Sequence, residues 1–305
     1  MARLANIITL ANIKGGVGKT TATVNLAYLL AVQHQKRVLV VDSDDQGNAT
    51  KALGVRESFR RDTQCLWAGI NERRGYRDLM VESPYPNLYV VPATKDLRKA
   101  QLAFGQSARG LKLFRHLLQG VEADFDVVLI DTKPQINILL QAALAASHWY
   151  LIPSFPESDS YDGFVDLVAE CEEIREEENP SLNCLGLFFT CVKRSSAHDA
   201  YMSFVVQLLE DANICVFPSH VRASNTVATG SLKNQPAVSL QNAQNVRQDY
   251  SKVAEYLLSE LKNDARGRPR KRPDLHRLGV LEEQMAPGRQ ASLEVVEDVE
   301  EQLFA

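Results

Sequence analysis

The feature that most constrains this chain is the segment Lys14–Thr20, which reads KGGVGKT. A short apolar run precedes it and a helical pattern follows. Gly15, Gly16 and Gly18 allow the backbone to turn tightly and to point its N–H groups at phosphate oxygens. A helix that begins near Lys19 adds the positive end of its dipole. This strand, loop and helix are the context that a phosphate-binding loop requires, so the segment predicts a nucleotide site.

The side chains of the loop suit the phosphates of a magnesium nucleotide. Lys19 is placed to reach the β- and γ-phosphates, the Thr20 hydroxyl to bind Mg²⁺, and Thr21 to donate to the α-phosphate. Such a loop recognises phosphates and not bases, so by itself it leaves the choice of purine open. The predicted nucleotide-binding residues of the loop are Lys14, Gly15, Gly16, Val17, Gly18, Lys19, Thr20 and Thr21.

Short apolar runs alternate with longer helical patterns along the chain. The runs show little alternation of apolar and polar residues, which is typical of strands buried on both faces. This rhythm predicts an α/β fold, a doubly wound and mostly parallel sheet with helices on both faces. The predicted strands are Asn6–Ala11, Arg37–Asp42, Leu88–Pro92, Asp126–Asp131, Trp149–Pro153, Cys184–Thr190 and Ile214–Phe217. The predicted helices are Thr20–Val32, Ser107–Gln119, Gln135–Ala146, Tyr161–Glu177, Ala200–Asp211 and Val246–Leu261.

The character of the sequence changes near residue 262. Residues 262–277 hold seven basic side chains, interrupted by two prolines and a glycine, and an acidic stretch follows. We therefore predict a folded phosphate-loop domain over 1–262 and an exposed, flexible tail, basic and then acidic, over 263–305. Because the formal net charge is −4, any surface that binds nucleic acid must be local.

The N-terminal apolar run is short and interrupted by Asn and Thr, unlike a signal peptide. No apolar run approaches the length that spans a bilayer. The five cysteines form no CxxC pair, which argues against a disulfide framework or a structural zinc site. These observations predict a cytoplasmic protein with no membrane partner.

The loop departs from the usual phosphate-loop pattern in an informative way. That pattern has a glycine at the position of Ile13, and here an additional lysine, Lys14, opens the loop instead. KGGVGKT resembles the deviant Walker A motif of the ParA and MinD family of ATPases, and the resemblance covers most of residues 3–262. It implies ATP as the nucleotide and a homodimer when ATP is bound. Within that dimer, Lys14 would act on the phosphates of the other subunit, much as an arginine finger does.

Two further stretches resemble motifs of the same family. DSDDQGNAT, which begins at Asp42, is similar to the switch I pattern DxDPQGN. By that resemblance Asp44 positions or deprotonates the attacking water and Asp42 supports the Mg²⁺ shell. FDVVLID, which ends at Asp131, is similar to a Walker B strand, whose aspartate holds Mg²⁺, in general through water.

Both switch stretches also depart from the family. The proline of switch I is replaced by Asp45, and Lys133 stands where the family has the first of two prolines after Walker B. Lys133 is compatible with a contact to phosphate, a contact to the partner subunit, or exposure to solvent. The two departures keep open a nucleotide-gated scaffold that hydrolyses weakly.

Later in the chain, Phe217–Arg222 is similar to the IPRNVR segment of the family, whose backbone lies beside the adenine, so Pro218 is a predicted nucleotide contact. The first arginine of that segment is Ser219 here, and the second is Arg222. The resemblance implies that the closed dimer binds DNA without sequence preference through phosphate contacts. The candidate DNA-binding residues are Arg222, Lys233, Arg268, Arg270, Lys271 and Arg272.

The function that best fits is a partition ATPase: ATP closes the dimer on non-specific DNA, and a ParB-like or adaptor protein stimulates hydrolysis and releases it. This places the protein on the nucleoid. A membrane-cycling protein like MinD, or another positioning ATPase for protein cargo, is the alternative. A membrane-cycling protein needs a basic C-terminal amphipathic helix, whereas the last candidate helix here is acidic. A cluster-loading protein of the nitrogenase-reductase type needs paired cysteines, which the spacing does not provide.

Overall fold

The computed structural model describes residues 5–105, 107–157, 162–264 and 270–278. Within them, seven strands form one sheet in the order β3-β4-β2-β5-β1-β6-β7. All neighbouring strands are parallel except the edge pair β3 and β4. The strands are β1 Asn6–Leu10, β2 Val38–Asp42, β3 Val81–Glu82, β4 Leu88–Val91, β5 Val127–Asp131, β6 Trp149–Ser154 and β7 Asn183–Phe189. The predicted fold class is confirmed.

Helices of unequal length connect the strands. The helices are α1 Lys19–Tyr28, α2 Asn48–Ala52, α3 Leu66–Glu72, α4 Tyr76–Leu79, α5 Arg98–Phe104, α6 Ala108–Leu111, α7 Leu113–Leu117, α8 Ile138–Ala146, α9 Asp162–Glu177, α10 Ser196–Asp211, α11 Asn225–Lys233 and α12 Gln244–Asp264. A π-helical turn, Leu29–Gln33, extends α1. The single helix expected over Ser107–Gln119 is two short helices, and the short helices between β2 and β4 were not predicted.

The central strands are buried on both faces, which explains their lack of polar alternation. In β2, Val38 and Val40 join the core on one side of the sheet, while Leu39 and Val41 join the core on the other. The strand β5 alternates in the same way, with Val127 and Leu129 on the first side. Successive side chains of a strand point to opposite faces, so a doubly covered strand needs an apolar residue at each position.

The seventh predicted strand, Ile214–Phe217, does not extend the sheet. It makes an isolated bridge between Val216 and Leu187 of β7. The pairing is short because Asn213 takes a positive φ of 59° just before it and Pro218, which has no N–H to donate, follows it.

The C-terminal part of the described chain differs from the exposed tail that we predicted. Helix α12 passes the expected boundary and ends at Asp264. Residues 270–278 then pack back on the domain: Arg270 forms an ion pair with Glu260 at 2.6 Å and lies 4.8 Å from the ring centroid of Trp149, and Leu278 is fully buried. Residues 265–269 and 279–305, including the candidate Arg268, lie outside the described residues.

Candidate active site

The phosphate loop joins β1 to α1 and is open to solvent on one side. Gly16 and Gly18 have φ values of 79° and 81°, which glycine adopts without strain. A Cβ atom built at Gly15 or Gly16 would meet nothing within 4 Å, so the two residues border empty space. The loop is therefore a cradle with room for a phosphate group and with its backbone exposed along the rim.

Lys19 begins α1 at the floor of this cradle. Its side chain is largely buried, and its ammonium donates to the carbonyl oxygen of Lys14 at 3.0 Å. Burial lowers the pKa of Lys19 to about 8, and the carboxylates of Asp131 and Asp44 oppose that shift. A buried cation whose main partner is a neutral carbonyl is suited to an anionic ligand such as a phosphate.

The carboxyl ends of β2 and β5 bring two aspartates together beside the lysine. Asp42 and Asp131 are register partners on adjacent strands, and both are fully buried. Asp131 accepts hydrogen bonds from Thr20 Oγ1 at 2.8 Å and from Thr23 Oγ1 at 3.0 Å. The structure thus joins the predicted Walker B aspartate to the phosphate-loop threonine, and it adds Thr23, which the motifs did not predict.

Asp42 is occupied by its own loop. One oxygen accepts from both the backbone N–H and the hydroxyl of Thr50, at 2.8 and 2.7 Å, and the other accepts from the N–H of Asp44 at 3.2 Å. The Thr50 hydroxyl also accepts from the N–H of Ala93 at 3.0 Å. Asp42 therefore fixes the start of the switch I loop, and its predicted place in the Mg²⁺ shell stays a prediction.

The electrostatics of the two aspartates fit a divalent cation. Burial, together with the charge of Asp42, raises the pKa of Asp131 to about 7 in spite of its threonine hydrogen bonds. Burial likewise raises the pKa of Asp42 to about 6 against the bonds from Thr50. Buried carboxylates without a full positive partner are costly, and a hard cation with oxygen ligands relieves that cost. Thr20 and Asp131 are the residues placed to hold Mg²⁺.

Asp44, the predicted catalytic carboxylate, lies two residues after the end of β2. Its side chain is mostly buried, and Oδ1 accepts from the N–H of Gln46 at 3.0 Å. Its carbonyl accepts from the N–H of Gly47, whose positive φ of 61° starts helix α2. This turn holds the carboxylate in one place.

Other side chains support the loop from behind. Thr190, just after β7, donates through Oγ1 to the carbonyl of Val17 at 2.9 Å. Asn12 accepts from the N–H of Lys14 at 2.9 Å and donates to the carbonyl of Pro153 at 2.9 Å. Neither residue was predicted, although asparagine just before a glycine-rich turn is a usable signal. The half-buried Thr21 lies on α1, and its carbonyl accepts from Asn25.

Comparison with known proteins agrees with this geometry. A sequence profile described as an AAA domain matches residues 5–184. The chromosome partitioning protein ParA of Caulobacter vibrioides is 32% identical over 228 residues, which cover 73% of this chain and 84% of that protein. This chain belongs to the ParA family of partition ATPases. It is accordingly an ATPase, and Lys19 with the two buried aspartates suits ATP and Mg²⁺.

Solved structures agree with the ParA fold. Apo McdA of Cyanothece superposes with a TM-score of 0.73 at 19% identity and covers 84% of this chain and 99% of that one. The second structure is a cobyrinic acid a,c-diamide synthase of Mycobacterium smegmatis, solved with an ATP analogue and magnesium. It superposes with a TM-score of 0.73 at 24% identity and covers 89% of this chain and 99% of that one. No helix in the four described ranges combines the length and the apolarity needed to cross a bilayer.

The additional ParA lysine, Lys14, lies on the open rim. Its ammonium is 3.8 Å from a carboxylate oxygen of Glu157, and the two side chains are 24% and 51% exposed. An ion pair this exposed contributes little to stability.

The two departures from the ParA pattern contact each other. Asp45 and Lys133 form an ion pair, and Arg98 at the start of α5 joins the same carboxylate. A cleft of about 750 Å³ opens beside them, lined also by Gln46 and Ile136. The sequence left three alternatives open for Lys133, namely phosphate, the partner subunit and solvent. The structure shows a contact that was not among them, an ion pair within its own chain.

The predicted adenine and DNA contacts lie on other elements of the fold than Asp42 and Asp131. Pro218 is exposed after the short bridge beside β7. Arg222 is held by Asp249 of α12 in a bidentate pair at 2.7 and 2.8 Å, and Arg270 is held by Glu260. Both guanidinium groups are thus engaged in ion pairs within the chain, and their predicted role as DNA contacts stays a prediction. Lys233 and Lys271 are exposed, and Arg272 lies 3.7 Å from Glu176.

Proposed function

We propose that ATP joins two copies of this partition ATPase face to face, that the closed dimer binds DNA without sequence preference, and that partner-stimulated hydrolysis releases it. The observation that supports this most is the open rim of the phosphate cradle. Gly15 and Gly16 are exposed there, and Lys14 stands beside them in an exposed ion pair. A second subunit has to cover that rim if water is to be excluded from the phosphates.

In the proposed reaction each side chain has a separate task. Lys19 and the backbone N–H groups of the loop bind the phosphates, and Thr20 and Asp131 hold Mg²⁺, which when bound neutralises charge on the phosphate oxygens. Asp44 orients the attacking water and accepts its proton. Lys14 of the second subunit adds positive charge opposite the γ-phosphate. Pro218 and Thr21 contact the nucleotide beyond its terminal phosphates.

The proposed DNA surface uses exposed cations, since the chain as a whole is acidic. With Arg222 and Arg270 engaged in ion pairs, Lys233, Lys271 and Arg272 are the described candidates that remain exposed. Contacts of this kind bind phosphates and carry no sequence information. A DNA-bound dimer of this type would sit on the nucleoid and would respond to a ParB-like or adaptor protein.

The test is salt-dependent binding to random-sequence duplex DNA with Asp44→Ala, which should hold the ATP state. We expect a dimer by sedimentation and tight DNA binding with ATP and Mg²⁺, weakening steeply as salt rises, and neither with ADP. Lys19→Ala is the control and should stay monomeric and unbound. A monomer in ATP would contradict the proposed dimer. A dimer that ignores DNA would favour positioning of protein cargo, the alternative that lipid vesicles and candidate cargo would then separate.

A further inference from the structure

The two ParA-family prolines that this chain lacks are replaced by residues that bind each other. Asp45 occupies the proline position of switch I and Lys133 the first proline position after β5, and they are 88 residues apart. Lys133 Nζ lies 2.5 Å from Asp45 Oδ2. The Asp45 side chain is only 2% exposed and that of Lys133 24%, so the pair is largely shielded from solvent.

Asp45 collects donors from three segments of the chain. Arg98 Nε donates to Oδ2 at 2.8 Å, and Gln46 Nε2 donates to Oδ1 at 2.7 Å. Burial alone would raise the pKa of Asp45, but the hydrogen bonds from Lys133, Gln46 and Arg98 outweigh it and hold the pKa below its usual value. The carboxylate is therefore ionised and fixed by contacts that reach beyond its own loop.

We propose that Asp45 and Lys133 are a positioning pair, which ties the switch I loop to the loop after β5 and so keeps Asp44 oriented for ATP hydrolysis. This rests on the catalytic role proposed for Asp44. Proline restricts φ and lowers the freedom of a loop, so losing two prolines loosens both loops. An ion pair between them restores the restraint by joining the loops directly.

Gln46 connects the pair to the catalytic carboxylate. Its side chain donates to Asp45 while its backbone N–H donates to Asp44 Oδ1 at 3.0 Å. Gln46 is hydrogen-bonded to both Asp45 and Asp44. A displacement of Lys133 that moves Asp45 would therefore also move Gln46 and change the orientation of Asp44. The pair thus acts on Asp44 through the loop that Gln46 belongs to.

The first experiment measures steady-state ATP hydrolysis by Asp45→Asn, Lys133→Gln and the double variant. We expect each single change to lower kcat about 10-fold with KM for ATP changed less than about 2-fold, since binding uses other groups. The double variant should be no slower than the slower single variant, because both changes break one interaction. Losses that multiply in the double variant, or a raised KM at constant kcat, would overturn the proposal.

Two rescue variants separate positioning from folding. Lys133→Arg keeps the cation, and Asp45→Pro with Lys133→Pro restores the family residues, so both should hydrolyse ATP within about 3-fold of the parent. The exposed ion pair between Asp96 and Lys99, at 2.7 Å on the adjoining turn, supplies the control. Asp96→Asn with Lys99→Gln should leave kcat unchanged. Equal thermal unfolding midpoints across the set exclude misfolding as the cause of slow turnover.

Asp44→Asn, measured in parallel, distinguishes failure of the pair from failure of the proposed catalytic role. If Asp44→Asn hydrolyses ATP normally, the role of Asp44 is wrong and with it the positioning argument. If Asp44→Asn is inactive while the double proline variant is as slow as Lys133→Gln, the catalytic role stands and the positioning pair is refuted.

Discussion

Lys19 and the two strand-end aspartates bring three buried ionisable groups together at one end of the sheet. Lys19 donates a hydrogen bond to the carbonyl oxygen of Lys14, while burial raises the pKa of Asp131 and of Asp42. The proposed magnesium nucleotide would bring a phosphate to Lys19 and a cation to the aspartates. The motif made Lys19, Thr20 and Asp131 predictable, since each occupies a fixed place in a pattern. Thr23 and Thr50 were not, because their bonds arise only once strands and helix are packed.

Lys19→Ala is expected to weaken ATP binding about 100-fold, since a charge-assisted contact to phosphate is lost from a shielded site. Calorimetric titration of ATP with Mg²⁺ measures this directly. Lys99→Ala, an exposed lysine outside the loop, should bind ATP as the parent does. Tight ATP binding by Lys19→Ala would refute the assignment of the phosphate loop.

Glu157→Gln is expected to strengthen the ATP-dependent dimer about 3-fold, because an exposed ion pair no longer competes for Lys14. Sedimentation equilibrium of the Asp44→Ala background, with and without the second change, gives the dimer dissociation constant. Glu173→Gln, a change elsewhere on the acidic surface, is the control. A dimer weakened by Glu157→Gln would mean that Glu157 belongs to the interface and does not merely hold Lys14 back.

At the level of elements, the sheet order places β7 two strands from β1, yet the end of β7 supports the loop that follows β1. Thr190 makes this link by donating to the carbonyl of Val17. The sequence predicted the strands well because burial on both faces leaves a continuous apolar run. It could not predict the contact, because the two residues are 173 positions apart. The sequence also predicted a separate strand over Ile214–Phe217, where the structure has only one isolated bridge before Pro218.

Thr190→Val should lower the free energy of unfolding by about 1–2 kcal/mol, because the volume is kept while a buried acceptor loses its donor. It should also raise KM for ATP through a less constrained loop. Urea unfolding and steady-state kinetics measure the two effects. Thr229→Val, which removes a hydroxyl that bonds only within its own helix α11, is the matched control. An unchanged KM with lowered stability would limit Thr190 to a structural role.

At the scale of the whole molecule, residues 270–278 close the domain across β6 and α12. Arg270 lies over Trp149 and pairs with Glu260, and Leu278 is buried. Composition predicted an exposed basic tail here, since charge and proline dominate the segment. The prediction missed the packing because Trp149 and Arg270 are far apart in sequence and because an arginine presents both a charge and a flat face.

A chain ending at Asp264 should therefore be less stable than the full chain by about 2–4 kcal/mol, from the buried leucine and the arginine stacked on tryptophan. A chain ending at Leu278 keeps both and is the matched control. Urea midpoints with unchanged slopes compare them. Equal stability of the two truncations would show that residues 270–278 contribute nothing to the domain.

Residues 270–278 also carry Lys271 and Arg272, which belong to the proposed DNA surface. Truncation alone therefore cannot separate their role in stability from their role in DNA binding. Charge removal on exposed side chains separates them. Lys233→Gln, Lys271→Gln and Arg272→Gln combined leave Arg270 and Leu278 in place, so stability should hold. A plot of log affinity against log salt concentration has a negative slope. If all three cations contact phosphates, the magnitude of that slope should decrease by roughly 2–3, because each contact contributes about 0.9.

The control for that slope replaces three other exposed arginines, Arg56, Arg60 and Arg61, in the loop that follows α2. Both triple variants change the net charge equally, so a general electrostatic effect would lower their affinities for DNA alike. A reduced slope in the first variant alone would assign phosphate contacts to the set of Lys233, Lys271 and Arg272. Equal slopes in the two variants and the parent would move the DNA surface elsewhere on the dimer.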